Sequence, residues 1–206
     1  MKNTTKLFLI LTAIVSFAFV NPKLSEPKQI NVVIDAAHGG YDFGATSNSI
    51  NEKQIVEQIS NKIKALNKNK NVVIHFTRSS DVFIPLQERS NIANTIKPDL
   101  VLSLHVNSSK NQDKSGVEFF VYKDSKWYEE SNNLAVKLSS EFAKNNSLTI
   151  GEIKNAPFYI LKYATTPTVL VELGYLSNEN DKKYLTDDKE QNKIAENILE
   201  FVSGIK

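Results

Sequence analysis

The stretch VVIDAAHGGYDFGA, Val32 to Ala45, passes from a β-branched apolar run straight into a histidine and two glycines. A run of that kind, ended by glycine, reads as a strand that stops at a turn. The apolar residues that come next, Ile55, Ile59, Ile63 and Leu66, recur at helical spacing and share one face. Strand, glycine turn and helix in that order form the unit from which α/β domains are built.

The alternation continues along the chain. Ile30 to Ile34, Val72 to Phe76, Leu100 to Leu104, Val117 to Tyr122 and Thr168 to Leu173 are short β-branched or aromatic runs. Helical periodicity returns in Leu86, Ile92 and Ile96 as a looser repeat. It is regular in Leu134, Leu138 and Phe142, and again in Ile194, Ile198 and Val202. The pattern predicts a single α/β domain over residues 30 to 206, with a mostly parallel central sheet flanked by helices. No internal repeat or low-complexity block interrupts it.

The first 20 residues stand apart. Two lysines precede an apolar-rich run from Leu7 to Val20, short for a bilayer span, and Ser16-Phe17-Ala18 has the small residues that a signal peptidase reads. Residues 1 to 20 are therefore expected to be a signal peptide, cleaved or kept as an N-terminal anchor, that exports the domain to the periplasm, cell envelope or medium. Residues 21 to 29, NPKLSEPKQ, hold two prolines and no apolar period, which suits a short linker. The chain has no cysteine, so no disulfide framework and no lipid on an N-terminal cysteine is expected. Its formal charge of +2, from 25 basic and 23 acidic residues, lacks the basic field of a nucleic-acid binder.

In an open α/β sheet, chemistry collects at the carboxyl ends of the strands. His38 lies four residues past Ile34. His105 follows Leu100 to Leu104 directly, and Glu172 falls near the end of TVLVELG. A carboxylate inside an apolar run carries a desolvation cost, so Glu172 needs a cation, a donor cluster or a metal nearby. His75 sits inside a strand-like run and reads as structural. Two histidines make an incomplete metal site, since a catalytic zinc keeps three protein ligands and an open position. Glu52 is the best-placed carboxylate, yet Ser49-Ile50-Asn51-Glu52 also fits a capping box, and local sequence alone favours that second reading.

Taken together, five ordered blocks carry a family resemblance. They are VVIDAAHGGYDFGA, NEKQIVEQISNKIKAL, FTRSSDVFIPLQERSNIAN, PDLVLSLHVNSS and NAPFYILKYATTPTVLVELGYLSNENDKKYL. Through them the sequence resembles the zinc-dependent N-acetylmuramoyl-L-alanine amidases of bacterial cell-wall turnover, the group typified by the catalytic domains of cell-division amidases. The resemblance implies His38, Glu52 and His105 as ligands of one zinc ion and Glu172 as catalytic acid/base. It also implies that Arg78, Asp81, Arg89 and Asn94 form a framework that braces the sheet edge. Peptidoglycan is the implied partner, cut between the lactyl group of N-acetylmuramic acid and L-alanine of the stem peptide.

Two points of difference set further expectations. The family usually has glycine where this chain has Ala37, which suggests a turn at a positive φ that alanine adopts at some cost. Activator-controlled members resemble one another in a helical insertion that covers the zinc after the fourth strand. Here Lys123 to Asn133, KDSKWYEESNN, is short. An open groove with no obligatory activator is therefore expected. Trp127 and Tyr128 in this stretch could line the groove, but packing back on the sheet is the favoured reading. An exported zinc peptidase, or a non-catalytic wall-binding or activator protein on the same scaffold, is the alternative, although all four chemical residues are present.

Overall fold

In the computed structural model residues 29 to 145 and 147 to 205 are described. The expected signal segment and nearly all of the linker lie outside the described residues. β1, Ile30–Ala36, takes in the first five residues of the quoted stretch and is followed by a small hairpin of β2, Thr46–Ser47, and β3, Ile50–Asn51. Helix α1, Glu52–Leu66, starts at once, capped by Asn51, whose side chain accepts the Gln54 N–H. After it come β4, Val72–Phe76; α2, Leu86–Ile96; β5, Leu100–Asn107; β6, Val117–Val121; and α3, Tyr128–Asn145. The chain finishes with β7, Ile150–Asn155; α4, Tyr159–Tyr163; β8, Thr168–Tyr175; α5, Glu179–Thr186; and α6, Asp188–Ser203.

Six strands form one sheet in the order β4-β1-β5-β8-β6-β7. The first four are parallel, β6 runs antiparallel to β8, and β7 lies parallel to β6 on the edge. The expected single α/β domain with a mostly parallel sheet is the one observed. β2, β3, β7, α4 and α5 are additions to the sequence reading, and three strands, β1, β5 and β8, run farther than their apolar cores suggested. β5 runs on past Leu104 to take in His105, which therefore stands on the sheet beside Glu172 of β8 and not beyond it.

Strand alternation sorts the side chains into two layers. Val32, Ile34, Leu102, Leu104, Phe119 and Val171 point to a thick apolar layer closed by α1, α3 and α6, where Ile55, Ile59, Ile63, Leu138, Phe142, Ile194, Ile198 and Val202 are buried. Val33, Val101 and Leu170 point to a thinner layer under α2 and α4, where they meet Ala93, Ile160 and Leu161. The looser repeat in α2 does not make its core face. Arg89, Ser90 and Ala93 are buried there, while Leu86 is 60% exposed. A buried arginine takes the place that apolar spacing would assign to leucine, because the strand ends beneath it offer carbonyls and a carboxylate. Among the described residues no helix is long and apolar enough to cross a membrane.

Candidate metal centre and cleft

The thin face carries the polar residues of the strands. Asp35 of β1, Ser103 and His105 of β5, and Glu172 of β8 alternate with the apolar residues of the thick face. His105 and Glu172 are register partners on adjacent strands, and Glu118 of β6 is the partner of Glu172 on its other side. His38 reaches the same place from the turn after β1, with its backbone at φ 58.

Glu52 comes to this edge from the first residue of α1. The hairpin before the helix turns the chain back so that the Glu52 carboxylate lies between the two histidines. Its Oε2 is 3.1 Å from His38 Nε2 and its Oε1 is 3.0 Å from His105 Nδ1. The N–H groups of Ala45, at 2.8 Å, and Val106, at 2.9 Å, donate to the same two oxygens. One ligand atom from each of His38, Glu52 and His105 lies within 4.8 Å of the others. The capping-box reading of Glu52 fails, since Asn51 is the cap and the carboxylate faces away from Ser49 toward the strand ends.

Gly44 makes this approach possible. Its φ is +65°, and a Cβ there would stand 2.4 Å from Glu52 Oε2 and 2.7 Å from His38 Cδ2. Asp42 supports the cluster from the other side. Its Oδ2 pairs with His38 Nδ1 at 2.8 Å, which turns Nε2 toward Glu52. A carboxylate on the far nitrogen of a histidine fixes tautomer and ring orientation, as around metal-ligating histidines generally.

The electrostatics follow from the crowding. Burial disfavours a charged His38 ring, but the hydrogen bond and charge of Glu52, joined by those of Asp42, outweigh it and raise the pKa to about 9. Burial opposes a charged His105 in the same way, and Glu52 with the charge of Glu172 raises it nonetheless. Burial also works to raise Glu52, yet the two histidines hold it well below the usual carboxylate range. Glu172 goes the other way. Burial pushes it up to about 7, against the charge of His105 and with the help of Glu52 and Glu118. Its Oε2 is buried without a hydrogen-bond partner among the described residues. Two imidazoles around one carboxylate form a donor set of metal-site type, and an orphaned carboxylate oxygen beside it is a proton acceptor without a proton to take.

The cluster opens into a cleft with about 180 Å³ of free volume, which His38, His105 and Glu172 line together with Phe83, Ile84 and Phe158. Two arginines hold its walls. Arg89 donates to Asp35 at 2.8 Å and to the carbonyls of Ala36, His38 and Ile84. Arg78 donates to the carbonyls of Ala36, Ala37 and Lys53 and to Glu57. Between them the backbone of the turn that carries His38 is fixed on both sides.

The model of the N-acetylmuramoyl-L-alanine amidase family matches residues 32–204. The chain belongs to the N-acetylmuramoyl-L-alanine amidase family, a family of enzymes. It is 31% identical over 183 residues to a probable cell wall amidase, LytH, of Staphylococcus saprophyticus, with 87% of this chain and 60% of that protein covered. The chain thus spans about 60% of the length of that curated relative. Among solved structures, an N-acetylmuramoyl-L-alanine amidase from Clostridium difficile 630 superposes with a TM-score of 0.81 at 28% identity, covering 86% of this chain and 96% of the other. The CwlD amidase of Clostridioides difficile, solved in complex with the GerS lipoprotein, gives a TM-score of 0.75 at 28% identity, covering 85% and 99%.

Within this family member the four chemical residues expected from sequence, His38, Glu52, His105 and Glu172, come together at one edge. The framework residues divide their work. Arg78 and Arg89 grip the His38 turn, Asp81 accepts from Gly40 N and Lys53, and Asn94 ties α2 to Tyr163 and Thr165 at the end of α4. Two expectations are corrected, on Ala37 and on the stretch after β6, and the favoured reading of Trp127 and Tyr128 agrees with the structure. The positive φ falls on His38 and not on Ala37, which is buried in the turn, so alanine there carries no strain. The stretch from Lys123 to Asn133 is not all loop, because α3 already begins at Tyr128. Trp127 and Tyr128 do not line the cleft. Tyr128 packs against the thick apolar layer and Trp127 Nε1 is buried.

Asp35 and Asp42 were missed. Asp35 stands in an apolar run, which is the sign that singled out Glu172. Asp42 lies one helical-turn spacing beyond His38 in the opening stretch. His75 on edge strand β4 contacts Asn31 and takes no part in the cluster.

Proposed function

We propose that this chain hydrolyses the amide between the lactyl group of N-acetylmuramic acid and L-alanine of the peptidoglycan stem peptide, using zinc held by His38, Glu52 and His105. The observation that carries the reading is the meeting of those three donors beside Glu172, whose Oε2 is buried in the same cleft with no hydrogen-bond partner among the described residues. Imidazole and carboxylate are ligands that zinc accepts in catalytic sites, and three of them leave a coordination position open. Bound there, zinc supplies a Lewis acid that lowers the pKa of water and polarises a carbonyl.

The rest is done by the chain's own groups. Asp42 holds His38 with Nε2 turned inward, and the Ala45 and Val106 N–H groups hold the Glu52 carboxylate. Glu172 accepts a proton from the attacking water at Oε2 and returns it to the departing amine nitrogen. The carbon–nitrogen bond breaks, leaving a lactyl carboxylate on the glycan and a free amino group on L-alanine. Apolar side chains around the cleft keep bulk water from the reacting groups. The family's substrate and the N-terminal segment read from sequence support export to the cell envelope, where the polymer lies.

The test pairs two variants of the zinc-loaded protein on purified peptidoglycan, followed by metal analysis and by mass spectrometry of released stem peptides. Glu172→Gln is expected to keep its zinc and release no stem peptide, because the amide keeps the shape but accepts no proton. His105→Ala is expected to lose the metal. Stem-peptide release by the Gln variant at close to the parent rate refutes the role of Glu172.

A further inference from the structure

Most of the large apolar side chains exposed among the described residues crowd beside the His38 turn: Tyr41, Phe43, Val82, Phe83 and Leu86. They come from two segments that lie against each other. Tyr41 and Phe83 stack with ring centroids 4.4 Å apart and planes 26° from parallel. Tyr41 is 75% exposed, so one face of the pair is covered and the other is open. Phe83 also lines the cleft shared by His38, His105 and Glu172. The stacked pair is therefore continuous with the candidate site.

The platform is rigid for a reason that the metal cluster does not need. Lys53, itself buried, donates to Gly40 O at 2.6 Å and to Asp81 Oδ2 at 2.7 Å, and Asp81 Oδ1 accepts the Gly40 N–H. That knot ties the loop of Tyr41 to the loop of Phe83. The Lys53 ammonium also lies 4.3 Å from the Phe43 ring centroid. Contiguous exposed apolar side chains beside a cleft are a mark of recognition surfaces.

We infer that the Tyr41–Phe83 pair is a sugar-stacking platform that holds a pyranose of the glycan strand on the His38 side of the cleft. The inference rests on the amidase reading of the site and names where the acyl-side sugar sits. A pyranose presents a face of C–H bonds, which suits the electron-rich face of a fixed ring. Its hydroxyls need acceptors at the rim. The side chains of Asp42 and Asp81 are 41% and 48% exposed there, and each carboxylate has lone pairs beyond those its own contacts use.

The test is calorimetric binding of a peptide-free oligosaccharide of alternating N-acetylglucosamine and N-acetylmuramic acid to the zinc-loaded chain. Parent protein is expected to bind it, Tyr41→Phe to bind within twofold, and Tyr41→Ala to bind about threefold to tenfold more weakly. On intact glycan strands the KM of Tyr41→Ala should rise by the same factor with kcat held. Absence of oligosaccharide binding by the parent, or equal binding by parent and Tyr41→Ala, overturns the platform. So does a change in sedimentation of the variant without a change in sugar affinity, which assigns the patch to a protein contact. A parent that binds the sugar but releases no stem peptide defeats the amidase reading and leaves the platform standing.

Discussion

Gly44→Ala is the sharpest probe of the metal cluster, because the residue is no ligand and yet its missing side chain defines the site. A Cβ there meets Glu52 Oε2 at 2.4 Å, so the carboxylate has to retreat by about 1 Å to regain ordinary contact. The hydrogen bond from Ala45 N, now 2.8 Å, is then stretched past its useful range, at about 1 kcal/mol. Holding alanine at the observed φ of +65° adds roughly 1–2 kcal/mol. The fold should lose about 2–3 kcal/mol in all, or roughly 5–10 °C in Tm for a domain of this size. Zinc should suffer more, since metal–ligand distances tolerate only about 0.2 Å and a displaced oxygen is outside that range. A fall in zinc affinity of at least tenfold to a hundredfold is expected, measured by competition with a chromophoric chelator.

Gly116→Ala is the control. Its φ is +104° and its Cβ would meet Thr149, 2.5 Å from the carbonyl oxygen, with no ligand in contact. That variant should be destabilised to a similar degree and keep parental zinc affinity. Parental zinc affinity in Gly44→Ala, or an equal loss in both variants, refutes the argument that Gly44 shapes the cluster.

Two other outcomes follow from the structure. Burial works to raise Asp35, but the charge of Arg89 and the hydrogen bonds of Thr77, Arg89 and Ser103 outweigh it and hold the carboxyl below its ordinary value. A depressed folded-state pKa means stability that is present above pH about 4 and is lost as pH falls through the folded value. Asp35→Asn, which leaves the Arg89 guanidinium buried without its anion, should cost about 3–5 kcal/mol at pH 7 and a smaller amount at pH 3, where the contribution of Asp35 has begun to decline. Urea unfolding at both pH values checks it, and parallel losses would contradict the ion-pair account. No residue of the Tyr122–Trp127 connection lines the cleft, so zinc-loaded chain alone is expected to release stem peptides from purified sacculi. Activity that appears only on addition of a second protein, such as a lipoprotein of the kind seen with CwlD, would show that the open cleft is not sufficient.

Much of the architecture was legible because its signals are local. The spacing of Ile55, Ile59 and Ile63, or of Ile194, Ile198 and Val202, depends only on helix geometry, and each set is buried as read. The apolar cores of five strands were legible for the same reason. β7 was not, because an edge strand such as IGEIKN, with no fully buried residue, differs little from a loop until its partner is known. The reversed direction of β6 was not legible either, since antiparallel pairing with β8 is a relation between residues some fifty positions apart in sequence.

The candidate site divides along the same line. Sequence by itself determined which residue types were on hand at strand ends, His38, His105 and Glu172, because a polar residue inside or just after an apolar run is visible in one dimension. It also carried the family resemblance that linked them to Glu52. Only the tertiary structure decided where the Glu52 carboxylate points at the head of its helix. Capping and metal ligation ask for the same residue at the same place, and the outcome turns on where the carboxylate points. The β2–β3 hairpin, the Asn51 cap and the empty space at Gly44 send it toward two imidazoles supplied by other segments. In the same way Asp35 and Arg89, far apart in the chain, become a buried pair under the His38 turn. A distance between side chains on different elements is set by how the layers pack, and no single stretch of sequence contains that distance.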